Sequence, residues 1–228
     1  MSITPIVALD VSSTTEALRL VEVLGDSSRF YKVGNELFTA EGPDVVRRLR
    51  AGAADVFLDL KFHDIPNTVA GGVRSAARLG ARLVTVHATG GEAMVRAAVE
   101  AGGSACGVLA VTILTSLSSE AIAAAWGRHR VDVTSEVLRL AGLAARAGAH
   151  GVVCSGAEAA AVRAEFGDAL AVLVPGVRPA GAPTQDQARV VTPRAAAECG
   201  ARYVVVGRMV TAATDPRAAM EAVGRELA

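Results

Sequence analysis

The chain has 228 residues, of which 51% are apolar and 4% aromatic, with 23 basic side chains balanced by 23 acidic ones. This length suits one large domain or two small ones, and half-apolar composition makes a substantial core easy to bury. A balanced charge without basic or acidic blocks leaves no electrostatic footprint for nucleic acid and no polybasic membrane patch, and no uncharged apolar stretch reaches transmembrane length.

The N-terminal MSITPIVALDVSS has neither the basic flank nor the long apolar run of a signal peptide, so a cytoplasmic chain is expected. The first strand candidate is Pro5–Leu9, followed by Asp10 and a helical pattern over Thr15–Leu24. Phe30–Val33 is the second strand and carries Lys32. Val56–Lys61 is the third, running into the charged segment that holds Asp59, Lys61, His63 and Asp64. Asn67–Leu79 then has helical spacing, Leu83–His87 strand character, and Glu92–Glu100 helical spacing again. Gly107–Thr112, Gly151–Cys154, Ala171–Val174 and Tyr203–Val206 complete the strand set, with helical patterns over Ser135–Ala147 and Ala157–Glu165. Gly25, Gly80, Gly102, Gly148, Gly167 and Gly200 stand where helix C-caps belong, and Asp215–Pro216 reads as the opening of a last helix.

The strands are short, rich in Val and Leu, and lack strict alternation, which is how parallel strands covered on both faces read. Eight of them interleaved with helices predict an α/β chain folded as a single (β/α)8 TIM barrel over residues 1–228. A doubly wound open sheet is the alternative, but no strand is followed by GxGxxG or GxxxxGK[ST]. Cys106, Cys154 and Cys199 are odd in number and never in a CxxC pair, so buried free thiols in a reducing compartment are expected rather than disulfides or a zinc site.

Lysine occurs only at positions 32 and 61, against 21 arginines. A chain that uses arginine for its generic cations retains lysine where a compact, proton-donating ammonium is needed. Barrel active sites lie where strands meet the following loops. Asp10, Lys32, Asp59, Lys61, His87, Thr112, Arg178 and Arg208 all fall at or just past strand ends. Phe57, Asp59 and Lys61 share one strand face by the two-residue period, and Leu58 and Leu60 the other, so the charged pair points into the barrel mouth. Inward charges must be paired, and Lys32, Asp59, Lys61 and Asp64 make an alternating set. A purely structural salt-bridge network is the competing reading. Gly207–Arg208 after the last strand suits the phosphate site that barrels build after strands seven and eight. The segment VPGVRPAGAPTQDQARVVTP reads as a lid, with Arg178 at its base and Gln187 near its far end.

LDLKFHDIPNTV is similar to the signature of the orotidine 5′-phosphate decarboxylase family. The resemblance continues through VALDVSS, YKVGNELF, VTVHATGG, AVTILTS, VPGVRP…QDQARVVTP and VVVGRMVT, and so covers the whole chain. The D-x-K-x-x-D pattern alone also resembles Mg²⁺-dependent sugar-phosphate decarboxylases and aldolases of the wider superfamily, which carry a metal-binding Glu near the position of Lys32. Lys32 and IPNT favour the metal-free nucleotide enzyme. The resemblance implies decarboxylation of orotidine 5′-phosphate to UMP without cofactor or metal. Lys61 would stabilise and protonate the C6 carbanion, with Asp59, Lys32 and Asp64 completing the catalytic set. It further implies that Asp10 and Lys32 hold the ribose, that Thr112 and Ser116 lie near the pyrimidine, that Pro175 binds substrate, and that Gly207, Arg208 and Gln187 hold the phosphate with Arg178 nearby. In the family the enzyme is a homodimer whose Asp64, Ile65 and Thr68 enter the partner's site. A catalytically dead barrel that binds UMP as a sensor is the third reading, which turnover would remove.

Overall fold

The computed structural model describes residues 3–178 and 191–228. Eight parallel strands close into a barrel in sequence order: β1 Thr4–Ala8, β2 Phe30–Gly34, β3 Asp55–Phe62, β4 Leu83–His87, β5 Gly107–Val111, β6 Gly151–Val153, β7 Ala171–Val177 and β8 Tyr203–Val206. Around them run α1 Thr14–Leu24, α2 Asn35–Glu41, α3 Asp44–Ala51, α4 Pro66–Arg78, α5 Glu92–Gly102, α6 Ser119–Ala125, α7 Val133–Arg146, α8 Gly156–Phe166, α9 Pro193–Glu198, α10 Arg208–Thr211 and α11 Pro216–Leu227. The expected (β/α)8 architecture is the observed one.

Alternate strand residues serve two cores, which is why the strands lack a regular polar alternation. Ile6, Phe57, Leu109, Leu173 and Val205 fill the barrel interior. Their neighbours Val7, Leu58, Ala110, Val174 and Val206 pack beneath the helices. Tyr203 and Phe30, the first residues of β8 and β2, meet edge-to-face at 6.4 Å and 87°, filling the end of the barrel opposite the strand C-termini.

Helix starts follow the side-chain capping rule: Ser13, Ser118, Asp132, Ser155, Thr192 and Asp215 each accept a backbone N–H of the first turn. Of the six glycines expected as C-caps, five adopt positive φ, but Gly102 is the last residue of α5 and Gly103, at φ 54°, terminates that helix. The helix runs one turn position further than the glycine pattern suggests because the first glycine of the pair still satisfies helical geometry. Cys106, Cys154 and Cys199 are free thiols, and burial pushes Cys106 up to about 11, which leaves it protonated and inert at neutral pH.

The barrel ladder slips its register in two places, between Leu58 and Phe62 of β3 and between Val174 and Val177 of β7. These strands face each other across the closed barrel. The second slip takes in Pro175, which has no N–H to offer a ladder, and Gly176 at φ 70°. Both slips lie on the rim where the charged residues gather.

Candidate active site

A cavity of about 530 Å³ opens at the C-terminal ends of the strands. Its floor is the apolar top of the barrel core, including Ala8, Phe57, Val111, Val153, Leu173 and Val205. Above this floor stand two lysines and two aspartates from three consecutive strands or their ends. Lys61 Nζ lies 2.9 Å from Asp59 Oδ1 and 3.0 Å from Oδ2. Lys32 Nζ donates to Asp10 Oδ1 at 2.7 Å and stands 3.8 Å from Asp59 Oδ2. Asp59 thus lies between two ammonium groups, and the four side chains sum to zero charge.

Solvent access is graded across this array. The side chains of Lys32 and Asp59 are 11% and 13% exposed, that of Lys61 is 31% exposed, and that of Asp10 is 60% exposed. Charges this enclosed are tolerable only because each has an opposite partner. Lys61 is therefore the array member that is both held by a buried carboxylate and open to the cavity. Leu60 packs outward against the helix-side core, as the face assignment from the sequence requires.

Two residues that the strand pattern does not single out make this geometry possible. Thr85 of β4 donates its hydroxyl to Asp59 Oδ1 at 2.9 Å and accepts the backbone N–H of Lys61 at 2.9 Å. In the sequence it is one more β-branched residue of a strand, and its only signal is a hydroxyl within an apolar run. Gly34, at the end of β2, leaves room for the ion pair: a Cβ there would lie 2.9 Å from Lys32 Nζ and 3.3 Å from Asp10 Oδ1. Its signal is a glycine directly after a lysine-bearing strand.

Across the mouth, Pro175 and Gly176 lie in the β7 slip, Arg178 follows β7, and Gly207 and Arg208 follow β8; all five line the cavity. The Arg178 backbone N–H bonds to Val191 O at 2.9 Å, pinning together the two ends of the segment that follows β7. Arg178 Nε is buried without a hydrogen-bond partner among the described residues, an unusual condition for a guanidinium. Ser116 lines the cavity from the segment after β5 and is exposed. Gln187 lies outside the described residues.

Four expected site residues do not reach this cavity. Thr112 is buried and its hydroxyl donates to Val153 O at 2.8 Å, tying β5 to β6 rather than facing the mouth. Asp64, Ile65 and Thr68 lie on an exposed run, residues 63–68, that leads into α4. Ile65 is 67% exposed, and Asp64 accepts the Ile65 N–H at 2.6 Å. His87 stacks obliquely on His63, ring centroids 5.5 Å apart. Burial, reinforced by His63 and Lys61 and opposed by Asp59, holds His87 below the usual histidine range.

A closed parallel barrel with a charged cavity at its C-terminal face, an array of alternating lysines and aspartates on one side and two arginines on the other, defines a (β/α)8 barrel enzyme. A model of the orotidine 5′-phosphate decarboxylase / HUMPS family matches residues 4–223, and the chain belongs to that family. It is 49% identical over 224 residues to an orotidine 5′-phosphate decarboxylase of Halorhodospira halophila, covering 98% of this chain and 95% of that one. It is 50% identical over 226 residues to an orotidine 5′-phosphate decarboxylase of Methylobacterium nodulans, covering 98% and 94%. Among solved structures, the orotidine 5′-phosphate decarboxylase of Lactobacillus acidophilus superposes with a TM-score of 0.87 at 38% identity, covering 100% of this chain and 99% of that one.

Proposed function

We propose that this chain decarboxylates orotidine 5′-phosphate to UMP in pyrimidine biosynthesis, as one (β/α)8 domain that pairs into a cytoplasmic homodimer. Its family and its relatives' names support the reaction. The observation that carries the mechanism is Lys61, whose ammonium contacts both oxygens of Asp59 above an apolar cavity floor.

Loss of CO₂ breaks the bond from C6 to its carboxylate and leaves the electron pair on C6, in the ring plane and without resonance. Fixed positive charge beside C6 stabilises that pair, and a proton must then reach it. A lysine ammonium supplies both; a guanidinium effectively keeps its proton. After transfer to C6 the neutral amine is reprotonated from solvent, which closes the cycle. Asp59 holds the ammonium in place and stands beside the departing carboxylate. Like charges about 4 Å apart cost on the order of 4 kcal/mol at an effective dielectric near 20, a repulsion that vanishes as CO₂ leaves.

Lys32 and Asp10 bind the ribose. Ser116 lies beside the pyrimidine and Pro175 lines the same cavity, while Thr112 ties the end of β5 to β6. Arg178, Arg208, Gly207 and Gln187 take the phosphate, and Arg178 Nε is a buried donor free to do so. Binding energy from this remote group holds the ring against the array. Lys32 counts against a divalent cation between Asp10 and Asp59, because its ammonium already stands 2.7 and 3.8 Å from their oxygens. The exposure of Asp64, Ile65 and Thr68 on their own subunit accords with a role in the partner's site. Three free thiols accord with a reducing compartment. No helix among the described residues is long and apolar enough to cross a membrane.

The test is the loss of orotidine 5′-phosphate absorbance with purified protein in EDTA. Stoichiometric UMP is expected. Absence of reaction, with turnover of a sugar phosphate on adding Mg²⁺, would replace this reading.

A further inference from the structure

We infer that Thr85 is a positioning residue for the decarboxylation: its hydroxyl sets the backbone of Lys61 and the carboxylate of Asp59 together, and so aims the ammonium at the reacting carbon. This rests on the function proposed above and adds to it a residue outside the charged array.

Thr85 shares the barrel-interior face of β4 with Leu83, while Val84 and Val86 face the helices. It is 0% exposed. An interior strand position of this kind suits valine, which has threonine's shape and no polar group to satisfy. The hydroxyl is nonetheless used twice, and both bonds end on the residues assigned to the chemistry. It donates to Asp59 Oδ1 at 2.9 Å and accepts from Lys61 N at 2.9 Å.

The backbone around it explains why a side chain is required. Leu58 pairs with Val84 and Phe62 with Val86, so Asp59, Leu60 and Lys61 all face the single residue Thr85. Lys61 has φ 51°, in the left-handed region that L residues with a long side chain rarely occupy. Such a conformation persists only where its surroundings over-determine it. A side-chain acceptor at Thr85 takes the N–H that the slipped ladder has turned away from regular pairing. The same oxygen orients Asp59. Its Oδ1 receives both Thr85 and Lys61 Nζ, and its Oδ2 faces Lys61 at 3.0 Å and Lys32 at 3.8 Å. Without the hydroxyl the carboxylate can turn and Lys61 can relax toward ordinary strand dihedrals, carrying its ammonium off the reacting atom. A misplacement of about 1 Å costs on the order of a hundredfold in rate.

The experiment compares Thr85→Val, Thr85→Ser and Thr85→Ala with the wild-type enzyme. Thr85→Val is expected to lower kcat about 10- to 100-fold, while KM and UMP affinity stay within about threefold. Thr85→Ser, which keeps the hydroxyl, is expected to recover most of kcat. A Thr85→Val kcat within about twofold of wild type overturns the inference, as does a parallel loss of kcat and UMP affinity that serine does not rescue. Should Thr85→Val fail to fold, serine near wild type with alanine impaired upholds it, and serine as poor as alanine overturns it. An inactive wild type would instead defeat the proposed function. A crystal structure of a folded variant lacking the hydroxyl then decides: Lys61 leaving positive φ upholds the positioning role, and an unchanged Lys61–Asp59 pair overturns it.

Discussion

Gly34→Ala is a small change with a large expected effect on activity and a modest one on stability. Gly34 has φ −96° and ψ −174°, an extended conformation open to alanine. The added Cβ would stand 2.9 Å from Lys32 Nζ, well inside the contact distance of about 3.5–4.0 Å between non-bonded carbon atoms. The atom it meets is the end of a flexible side chain, so Lys32 withdraws by roughly 1 Å and the strand stays in place. Stretching the 3.8 Å separation from Asp59 by that amount forfeits about 1 kcal/mol at an effective dielectric near 20. Breaking the 2.7 Å bond to Asp10 adds about 1 kcal/mol, at the low end for a charged hydrogen bond because the Asp10 side chain is 60% exposed. A total near 2 kcal/mol corresponds to a fall in kcat/KM of about 10- to 100-fold. The lost contacts also weaken the fold, offset in part by about 0.4–1 kcal/mol from the reduced entropy of the unfolded chain, so the melting temperature should fall by only a few degrees. Steady-state decarboxylation and a thermal melt on the same preparation measure both. An unchanged kcat/KM would refute the reasoning, and so would a collapsed melting temperature.

Other consequences are equally direct. Arg208→Ala should weaken UMP binding about 10- to 100-fold by calorimetry, the worth of a charge-assisted phosphate contact; unchanged affinity would move the phosphate site elsewhere. Ile65→Asp should sediment as a monomer and lose turnover, since it places a charge on the apolar tip assigned to the partner contact; a dimer with normal activity would contradict that assignment. Burial holds both His87 and His150 below the ordinary 6.5, with His63 and Lys61 adding to the effect at the first and Arg202 and Arg82 at the second. The unfolded chain therefore protonates first as pH falls. The stability these histidines contribute is complete above about 6.5 and is lost as pH drops through that value toward their folded pKa. The melting temperature should decline over that window, and His87→Gln combined with His150→Gln should flatten the decline.

Much of this was legible in the chain. Eight Val- and Leu-rich runs mark the eight strands to within a few residues, because both faces of each strand are largely buried and most of their positions are apolar. The scarcity of lysine pointed to Lys32 and Lys61, and both stand in the array. The helices α2, α3, α6, α9 and α10 were not read in advance: they have eight residues or fewer, too short for periodicity to register. β7 extends three residues past its predicted end because a slip at Pro175–Gly176 lets pairing resume beyond the proline. The positive φ of Lys61 has no sequence signal at all, since glycine is what that conformation normally selects. Thr85 was hidden for a related reason, a strand-forming residue whose hydroxyl matters only once the third strand has slipped beside it.

The central claim is that Lys61 supplies the charge and the proton at C6. The most direct test is to measure orotidine 5′-phosphate turnover and UMP binding by Lys61→Ala side by side. Turnover should fall roughly 10³-fold or more while UMP affinity stays within about tenfold, since the phosphate and ribose contacts survive the change. Turnover within tenfold of wild type would contradict the claim.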